Sequence, residues 1–345
     1  MSIFSNQSFY WNRKSNTIDL NNLKYCKYTV NSNGEAVYNP NIDLTNAFDE
    51  VTSIEEYGMC GAFDSSSVYP SNIAFPELII IKEYGMNSTF NCTNLSSISF
   101  PKLQTIENNG LERAFKDTSL NSIEFLKLIS VGNYGLSYAF YSSNLSSIVF
   151  PKLNLANAWA FLYAFRDCSN LESVSFPELI DLNPELSTSQ LSVFYGTFEN
   201  CTNLTSVSFP KLKNSYRCFT NTFLNCTSLT TISFPELETI GGYHDFDGVF
   251  ENCTNLTSVS FPKLTTIGEE SLRFNTVFKG CQKLTSLYFP SLINCSSSAL
   301  QYAFGSTCDY IEEIHFRSDA QSTISSVSGY KNKFMCPNAT IYFDL

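Results

Sequence analysis

The sequence predicts an α/β repeat solenoid, in which short parallel strands form a sheet on one face and short helical or 3-10 arms line the other. Three observations predict it. A Phe-Pro-Lys/Glu-Leu tetrapeptide recurs along the chain, successive copies are 25 to 33 residues apart, and a second phenylalanine recurs in the other half of each repeat. A fixed period in the twenties indicates stacked repeats rather than separate globular domains. The tetrapeptide begins at Phe75, Phe100, Phe150, Phe176, Phe209, Phe234 and Phe261, with weaker copies at Phe125, Phe289 and Phe316.

Residues 1–58 do not fit the repeat, and we expect them to form an N-terminal cap. Residues 28–30 and 35–38 flank a turn that contains Gly34, which predicts a β-hairpin. A degenerate first repeat is expected between Ile42 and Ile54. The solenoid itself is predicted over residues 59–345, with about ten to eleven repeats and a last strand near residues 339–343.

The strand half of a repeat is clearest at residues 201–212. Val207 and Phe209 alternate with Ser206 and Ser208, so the two apolar side chains are predicted to point inward and the serines outward. Pro210 lacks a backbone donor and is expected to end the strand.

The other half of each repeat carries a small or β-branched residue followed by phenylalanine. We interpret this arm as a short helical turn whose phenylalanine packs under the strand. The arm phenylalanines are Phe90, Phe115, Phe140, Phe165, Phe198, Phe223, Phe250, Phe278 and Phe304.

Seven of the twelve cysteines follow the arm phenylalanine by two to four residues. Their repeated position predicts a ladder of buried structural thiols rather than disulfides. The chain has no C-x-x-C motif and only two histidines, so no metal site is expected. The predicted ladder consists of Cys92, Cys168, Cys201, Cys226, Cys253, Cys281 and Cys308.

The pattern C-x-x-L-x-x-V/I-x-F-P-x-L, followed by I-G and A-F, resembles the BspA-like, or Treponema pallidum-type, leucine-rich repeat. The resemblance covers roughly residues 60–345. Departures are phenylalanine where the family often has leucine at the strand end, a 33-residue step with extra sequence from Asp181 to Val193, and Asn144 in place of an expected cysteine. The resemblance implies a right-handed superhelix and a surface protein used in adhesion to host proteins, matrix proteins or other cells.

Composition excludes several classes of function. The net charge of −11 and the absence of a basic run argue against nucleic-acid binding. No apolar stretch is long enough to span a membrane, and no signal peptide is recognisable, so no direct membrane insertion is expected. Phosphate-binding loops and nucleophile motifs are absent, and acidic residues are scattered. We therefore expect a non-enzymatic protein without catalytic residues or a cofactor.

The outward strand positions are mostly serine, which predicts a polar surface with few binding anchors. Because protein interfaces favour aromatic and arginine anchors, the exceptions are the candidate protein-binding residues. They are Tyr288, His315, Glu313, Glu124 and Val149.

Aromatic residues in the arms are further candidates, and they are Tyr141, Trp159, Tyr163, Tyr243 and Tyr330. Two other functions stay open at this point. Free cysteines and the absent signal favour a cytoplasmic protein-interaction scaffold. A carbohydrate-binding module is less favoured, because the strand positions supply no row of outward aromatic residues.

Overall fold

The computed structural model describes residues 28–30, 36–38, 48–49, 51–63, 72–180, 182, 192–241, 245–267, 276–295, 310–321 and 339–345. Cys308, Tyr243 and Tyr330 lie outside these residues. The described chain forms a parallel β-solenoid of stacked coils with two strand positions in each coil. Strands are numbered along the chain.

The first strand of each coil is the predicted V-x-F segment. Apart from a break in pairing between Ser206–Ser208 and Thr231–Ser233, these strands pair in parallel and in register, so that Val174 lies beside Ile148 on one side and Val207 on the other. Isolated bridges carry the sheet through Ser122, between Ser97 and Ser147. The strands of this first sheet are β4 (Asn72–Ala74), β6 (Ser97–Ser99), β9 (Ser147–Val149), β11 (Ser173–Ser175), β12 (Ser206–Ser208), β14 (Thr231–Ser233), β16 (Ser258–Ser260), β18 (Ser286–Phe289), β20 (Glu313–Phe316) and β21 (Thr340–Phe343).

A second parallel sheet follows the recurring turn after each first strand, and the sequence pattern did not predict it. It consists of two separate ladders, within residues 53–156 and 214–295, and most of its short strands contribute one buried residue, such as Ile106 or Val131, before the arm begins. They are β3 (Ser53–Ile54), β5 (Ile80–Ile81), β7 (Thr105–Ile106), β8 (Ser130–Val131), β10 (Leu155–Ala156), β13 (Asn214–Tyr216), β15 (Thr239–Gly241), β17 (Thr266–Ile267) and β19 (Asn294–Cys295).

The core between the sheets and the arms consists of columns of phenylalanine. In the strand column, Phe209 stacks on Phe176 with ring centroids 5.2 Å apart and on Phe234 at 5.8 Å. In the arm column, Phe165 stacks on Phe140 at 5.3 Å with an interplanar angle of 1°. Each coil therefore buries its rings against the coils before and after it, as a repeat architecture requires.

The arms that the structure describes are not helical, so the prediction of helical arms and the α/β assignment that followed from it are not confirmed. Between Val51 and Cys295 no described residue is in a helix, and a 3-10 helix occurs at Ser318–Ala320. The arms are instead series of turns in which every fourth residue is left-handed, as at Tyr84 and Ser88, both with φ of 53°. The predicted right-handedness of the superhelix stays a prediction.

Hydrogen bonds between coils explain why the arms are not helices. The N–H groups of Tyr84, Met86 and Ser88 donate to carbonyls of the next coil at 2.8–3.0 Å, whereas the intervening N–H groups donate to carbonyls three residues earlier. A helix would satisfy every donor within its own segment and would leave none for the neighbouring coil. The cost of about 1–2 kcal/mol for each left-handed residue is offset by these bonds.

At the N-terminal end, β1 (Tyr28–Val30) and β2 (Ala36–Tyr38) pair in an antiparallel hairpin, with Tyr28 opposite Tyr38. Phe48 already stacks on Phe75 at 4.5 Å, so the coil that includes β3 belongs to the continuous core. Throughout the described segments, no helix has the length and apolar character needed to cross a membrane.

Candidate functional site: the strand face and the arm face

The outward positions of the first sheet form an open surface, here called the strand face. Serine and threonine occupy most of it, and their side chains are exposed or half-buried, as at Ser206 and Ser208. Because parallel strands in register place equivalent residues side by side, these hydroxyls form two polar columns along the solenoid. Such a surface is hydrated and offers few anchors for a partner.

Near the C-terminal end, the strand face carries three stacked rings, here called the ring stack. Tyr288 stacks on His315 with centroids 4.7 Å apart, and His315 stacks on Tyr342 at 4.6 Å, both at an interplanar angle of 12°. The strand register produces this arrangement, because Tyr288, His315 and Tyr342 are paired positions on β18, β20 and β21. The Tyr288 side chain is 46% exposed, so one outer ring of the stack is available to a partner.

Carboxylates flank the histidine of the ring stack. His315 Nδ1 lies 2.9 Å from Asp344 Oδ1, and His315 Nε2 lies 3.4 Å from Glu313 Oε2. Burial alone would lower the pKa of His315, but the hydrogen bonds to Asp344 and Glu313 outweigh it and raise the pKa above its usual range. Both ring nitrogens can donate only in the protonated imidazolium, which these two acceptors stabilise.

Among the predicted candidates, Tyr288, His315 and Glu313 are therefore brought together. Tyr342 and Asp344 belong to the same group and were missed, although the T-I-Y-F sequence of β21 carries the alternation that places Tyr342 outward. Glu124 and Val149 are exposed on the strand face but lie on coils many repeats earlier, so they do not join the ring stack.

The arms carry a second group of aromatic residues on the outside of the solenoid, here called the arm face. The Arg166 guanidinium lies 4.9 Å from the ring centroid of Tyr163 and 6.0 Å from that of Tyr141. Tyr163 contacts Tyr138, with centroids 5.2 Å apart. Burial raises the pKa of Tyr163, and Gly196 makes room for its ring, because a Cβ there would lie 2.3 Å from Tyr163 Cε1.

This arm cluster extends through Trp159, which stacks on Tyr134 at 6.2 Å and contacts Tyr195 at 6.0 Å. Two of the predicted arm candidates, Tyr141 and Tyr163, thus share one arginine, and Trp159 belongs to the same surface. Arg166 also pairs with Glu199 at 3.2 Å, which neutralises its charge. The group combines tyrosine, tryptophan and arginine, the residue types enriched at binding hot spots.

Five cysteines form a buried column beneath the arms. The Cys226 thiol donates a hydrogen bond to the carbonyl of Phe198, one coil earlier, at 3.1 Å, and the other four make the equivalent bond. Burial raises the pKa of Cys168 and of Cys253 to about 12, so these thiols stay protonated and unreactive. The column consists of Cys168, Cys201, Cys226, Cys253 and Cys281.

Cys92 is not part of this thiol column. It follows Phe90 by two residues instead of three, adopts φ of 55° and is exposed. Thr93 occupies the column position instead, and its hydroxyl donates to the carbonyl of Phe90 at 2.7 Å. Thr118 and Ser143 occupy the same position in the next two coils, so a hydroxyl replaces the thiol where cysteine is absent.

One buried acid was not identified from the sequence. Asp245 is fully buried and accepts hydrogen bonds from the Ser215 hydroxyl at 2.8 Å and from the N–H groups of Cys218 at 2.6 Å and Phe219 at 3.3 Å. Burial raises the pKa of Asp245 to about 6, against the opposing effect of these bonds. The sequence feature that could have revealed it is Ser215, a polar residue at the position where the next two coils place the buried residues Ile240 and Ile267. In the described part of the chain, no three acidic, cysteine or histidine residues are grouped as a metal site.

The BspA type leucine-rich repeat region matches this chain with six copies of the repeat, over residues 15–137, 86–183, 136–274, 182–301 and 246–331. These ranges together extend through most of the sequence. A comparison with curated proteins gave no match.

Three solved structures are similar to the chain. The mouse RP105/MD-1 complex has 13% identity and a TM-score of 0.28, covering 79% of this chain and 55% of that one. An internalin from Listeria monocytogenes has 13% identity and a TM-score of 0.21, covering 69% and 78%. The TLR13–ssRNA13 complex has 11% identity and a TM-score of 0.20, covering 86% and 53%. The chain thus spans about half the length of the first and third of these proteins.

Proposed function

Because this chain belongs to the BspA-type leucine-rich repeat family, we propose that it is a non-enzymatic protein-binding solenoid that engages its partner through the ring stack of the strand face. The fold itself is that of a protein-interaction module. The proposal adds which surface binds and what kind of residue anchors the contact.

The ring stack carries the proposal. Tyr288 is a half-exposed ring on a surface made mostly of small hydroxyls, and it is held in place by His315 on the neighbouring strand. A side chain that is already ordered loses little conformational entropy when a partner binds. The nearby carboxylates of Glu313 and Asp344 add polar acceptors around the aromatic centre, an arrangement that resembles the polar rim of a protein interface.

We further propose that the partner is an extracellular protein and that the chain acts in adhesion at a cell surface. The family resemblance supports this setting. The alternative is a cytoplasmic interaction scaffold, which the reduced, buried thiols of the column favour. A carbohydrate partner is a third possibility, for which the aromatic residues of the arm face are the better candidates.

A binding assay with paired variants tests the proposal. The purified chain is immobilised and exposed to a panel of extracellular-matrix and cell-surface proteins, beside Tyr288→Ala/His315→Ala and the matched arm-face variant Tyr138→Ala/Tyr163→Ala. We expect binding that the first variant loses and the second retains, because only the first removes rings from the strand face. Circular dichroism of each variant controls for folding.

Other outcomes would redirect the assignment. Binding lost only in Tyr138→Ala/Tyr163→Ala would transfer the site to the arm face. Binding that both variants retain would contradict an aromatic anchor at either place. No binding to any extracellular protein, with capture of a cytoplasmic one by the ring stack, would support the scaffold instead of the adhesin.

A further inference from the structure

A column of charged residues follows the turn between the two sheets, here called the sheet edge. Each member lies two residues after the strand phenylalanine of its coil, so neighbouring members occupy adjacent coils. Most of them alternate in sign and pair across the coil boundary: Lys102 binds Glu77 at 2.6 and 2.7 Å, Lys211 binds Glu178 at 2.8 Å, and Lys263 binds Glu236 at 2.7 and 2.8 Å.

Lys127 breaks this alternation, because Lys102, Lys127 and Lys152 occupy three consecutive coils. Lys102 is paired with Glu77, so Lys127 and Lys152 are two unpaired like charges that lie side by side. Both are exposed, and neither makes an ion pair with any residue that the structure describes. The acid on the next coil, Glu178, directs both of its oxygens to Lys211.

Exposed apolar side chains surround the two lysines. Leu126, which replaces the usual proline, is 43% exposed, Ile129 is 40% exposed, and Leu155 on the next coil is 40% exposed. The strand face contributes Val149, also exposed, and Glu124, which forms no ion pair with a described residue. The sheet edge is therefore apolar and positively charged at this point, although the whole chain carries a net charge of −11.

Adjacent like charges at the strand spacing of roughly 4.8 Å destabilise a sheet, and a lysine-to-glutamate change at residue 127 would complete the alternation. The two unpaired lysines form no stabilising ion pair within the described chain, whereas a partner with negative charge would form ion pairs with both. We infer that the sheet edge around Lys127 and Lys152 docks an acidic protein segment, which supplies the two missing carboxylates. This surface is separate from the ring stack, and the inference does not depend on it.

The apolar neighbours indicate which class of anion binds. A sulfated polysaccharide would match the lysines but would leave Leu126, Ile129 and Leu155 without contacts. An extended peptide that runs along the solenoid presents alternate side chains to opposite sides. Acidic residues can then lie over the lysine column, while apolar residues lie over Ile129 and over Leu155, which is one position further along the next coil.

Fluorescence anisotropy with a labelled ten-residue peptide of alternating glutamate and leucine tests the inference. The full chain, Lys127→Glu and Lys283→Glu are compared at low and at high salt. Lys283 is exposed on the turn before β18, so its replacement changes the net charge equally without touching the sheet edge. We expect Lys127→Glu to weaken binding about tenfold or more, and Lys283→Glu to leave it unchanged. A peptide of alternating lysine and leucine should not displace the labelled peptide from this site.

Thermal unfolding distinguishes two reasons why Lys127→Glu would lose binding, namely removal of the positive charge and disruption of the fold. Lys127→Glu should raise the midpoint of thermal unfolding, because the introduced carboxylate would pair with Lys152 as the other members of the column do. Absence of peptide binding to the unaltered chain, or equal binding by Lys127→Glu, would overturn the inference. Binding of heparin without binding of the peptide would also overturn it, in favour of a polysaccharide.

Discussion

Single residues in the core have a defined neighbour on each side, because each coil repeats the previous one. Phe209 contacts Phe176 and Phe234 by stacking and Phe219 edge to face at 5.5 Å. Its side chain is fully buried, and removing the ring would leave a space lined by apolar side chains, in which water has no hydrogen-bond partner. Ser208, one residue earlier, is exposed on the strand face.

This contrast gives a direct test of the strand faces. We expect Phe209→Ala to lower the free energy of unfolding by about 3–5 kcal/mol, since it leaves a cavity among four rings, that of Phe194 included. Ser208→Ala should change it by less than about 0.5 kcal/mol. Urea denaturation followed by circular dichroism measures both, and equal effects would mean that the inward and outward faces are reversed.

The histidine of the ring stack should titrate above its ordinary range. Burial lowers the pKa of His315, but the carboxylates of Asp344 and Glu313 outweigh burial and raise the folded-state pKa above the unfolded value. The protonated form therefore stabilises the fold at pH values below the unfolded pKa of about 6.5, and this contribution is lost as pH rises through the folded pKa.

An NMR titration of the His315 ring checks this expectation. Its midpoint should lie above that of a model histidine, and Asp344→Asn should lower it because one acceptor of the imidazolium is neutralised. An unchanged midpoint in Asp344→Asn would show that the 2.9 Å contact contributes nothing to the protonation of His315.

Burial should make the column thiols inert while Cys92 reacts. The thiols of Cys201 and Cys226 are fully buried, and burial raises the pKa of each well above the usual value. Iodoacetamide on the native chain, followed by peptide mass mapping, should therefore modify Cys92 and leave the column unmodified until denaturant is added. Rapid alkylation of Cys226 in the native chain would contradict the burial of the thiol column.

At the scale of elements, the strand half of the repeat could be predicted and the arm could not. The V-x-F alternation and the proline that follows it are local signals, and β12 and its equivalents lie where they indicate. In the arms, buried residues recur every four positions, as at Met86 and Phe90, a spacing close to a helical turn. What decides the structure is the acceptor on the next coil, which no local pattern reveals.

In the candidate site, too, local sequence signals predicted some features, and contacts between coils determined the others. The sequence placed Tyr288 and His315 at equivalent outward positions of consecutive repeats, and the parallel register makes such positions neighbours. The carboxylate of Asp344 and the cation–aromatic contacts of Arg166 depend on side-chain conformations across coils. Asp245 reaches Ser215 from 30 residues away, a contact that the repeat pattern does not contain.

Asp245 joins β13, β15 and the following arm, so its ionisation should affect the stability of this element. Its folded-state pKa of about 6 lies above the unfolded value of 3.8, because burial disfavours the carboxylate. The native state therefore binds the proton more tightly than the unfolded chain, so this contribution to stability is fully present below about pH 4 and decreases as pH rises through about 6. The loss amounts to roughly 3 kcal/mol.

Replacing the acid by its amide isolates this contribution. Asp245→Asn keeps the shape and cannot ionise, so on going from pH 4 to pH 7 the variant should keep roughly 3 kcal/mol of unfolding free energy that the unaltered chain loses. Chemical denaturation at both pH values measures it. The same pH dependence in both proteins would show that Asp245 does not titrate in this window.

At the scale of the whole molecule, each coil contacts only the coils beside it, so stability is a sum over coils and their interfaces. Phe209, Phe234 and Phe261 mark successive equivalent positions, at steps of 25 and 27 residues. Deleting residues 210–261 would join Phe209 to Pro262 and remove two complete coils. The deletion also removes Lys211 and Glu236 together, which leaves Glu178 beside Lys263 on the sheet edge, and it removes both Ser215 and Asp245.

We therefore expect the 210–261 deletion to fold into a shorter solenoid with the circular dichroism spectrum of the full chain. The slope of its unfolding free energy against urea concentration should be roughly 15% smaller than that of the full chain. The deletion removes 52 of 345 residues, and this slope scales with the surface exposed on unfolding. A deletion of residues 210–248 is the out-of-register control, since it joins a strand phenylalanine to the arm residue Val249. The control should fail to unfold cooperatively. If both deletions behave alike, the coils are not interchangeable units and the stability of the chain does not reside in contacts between neighbours.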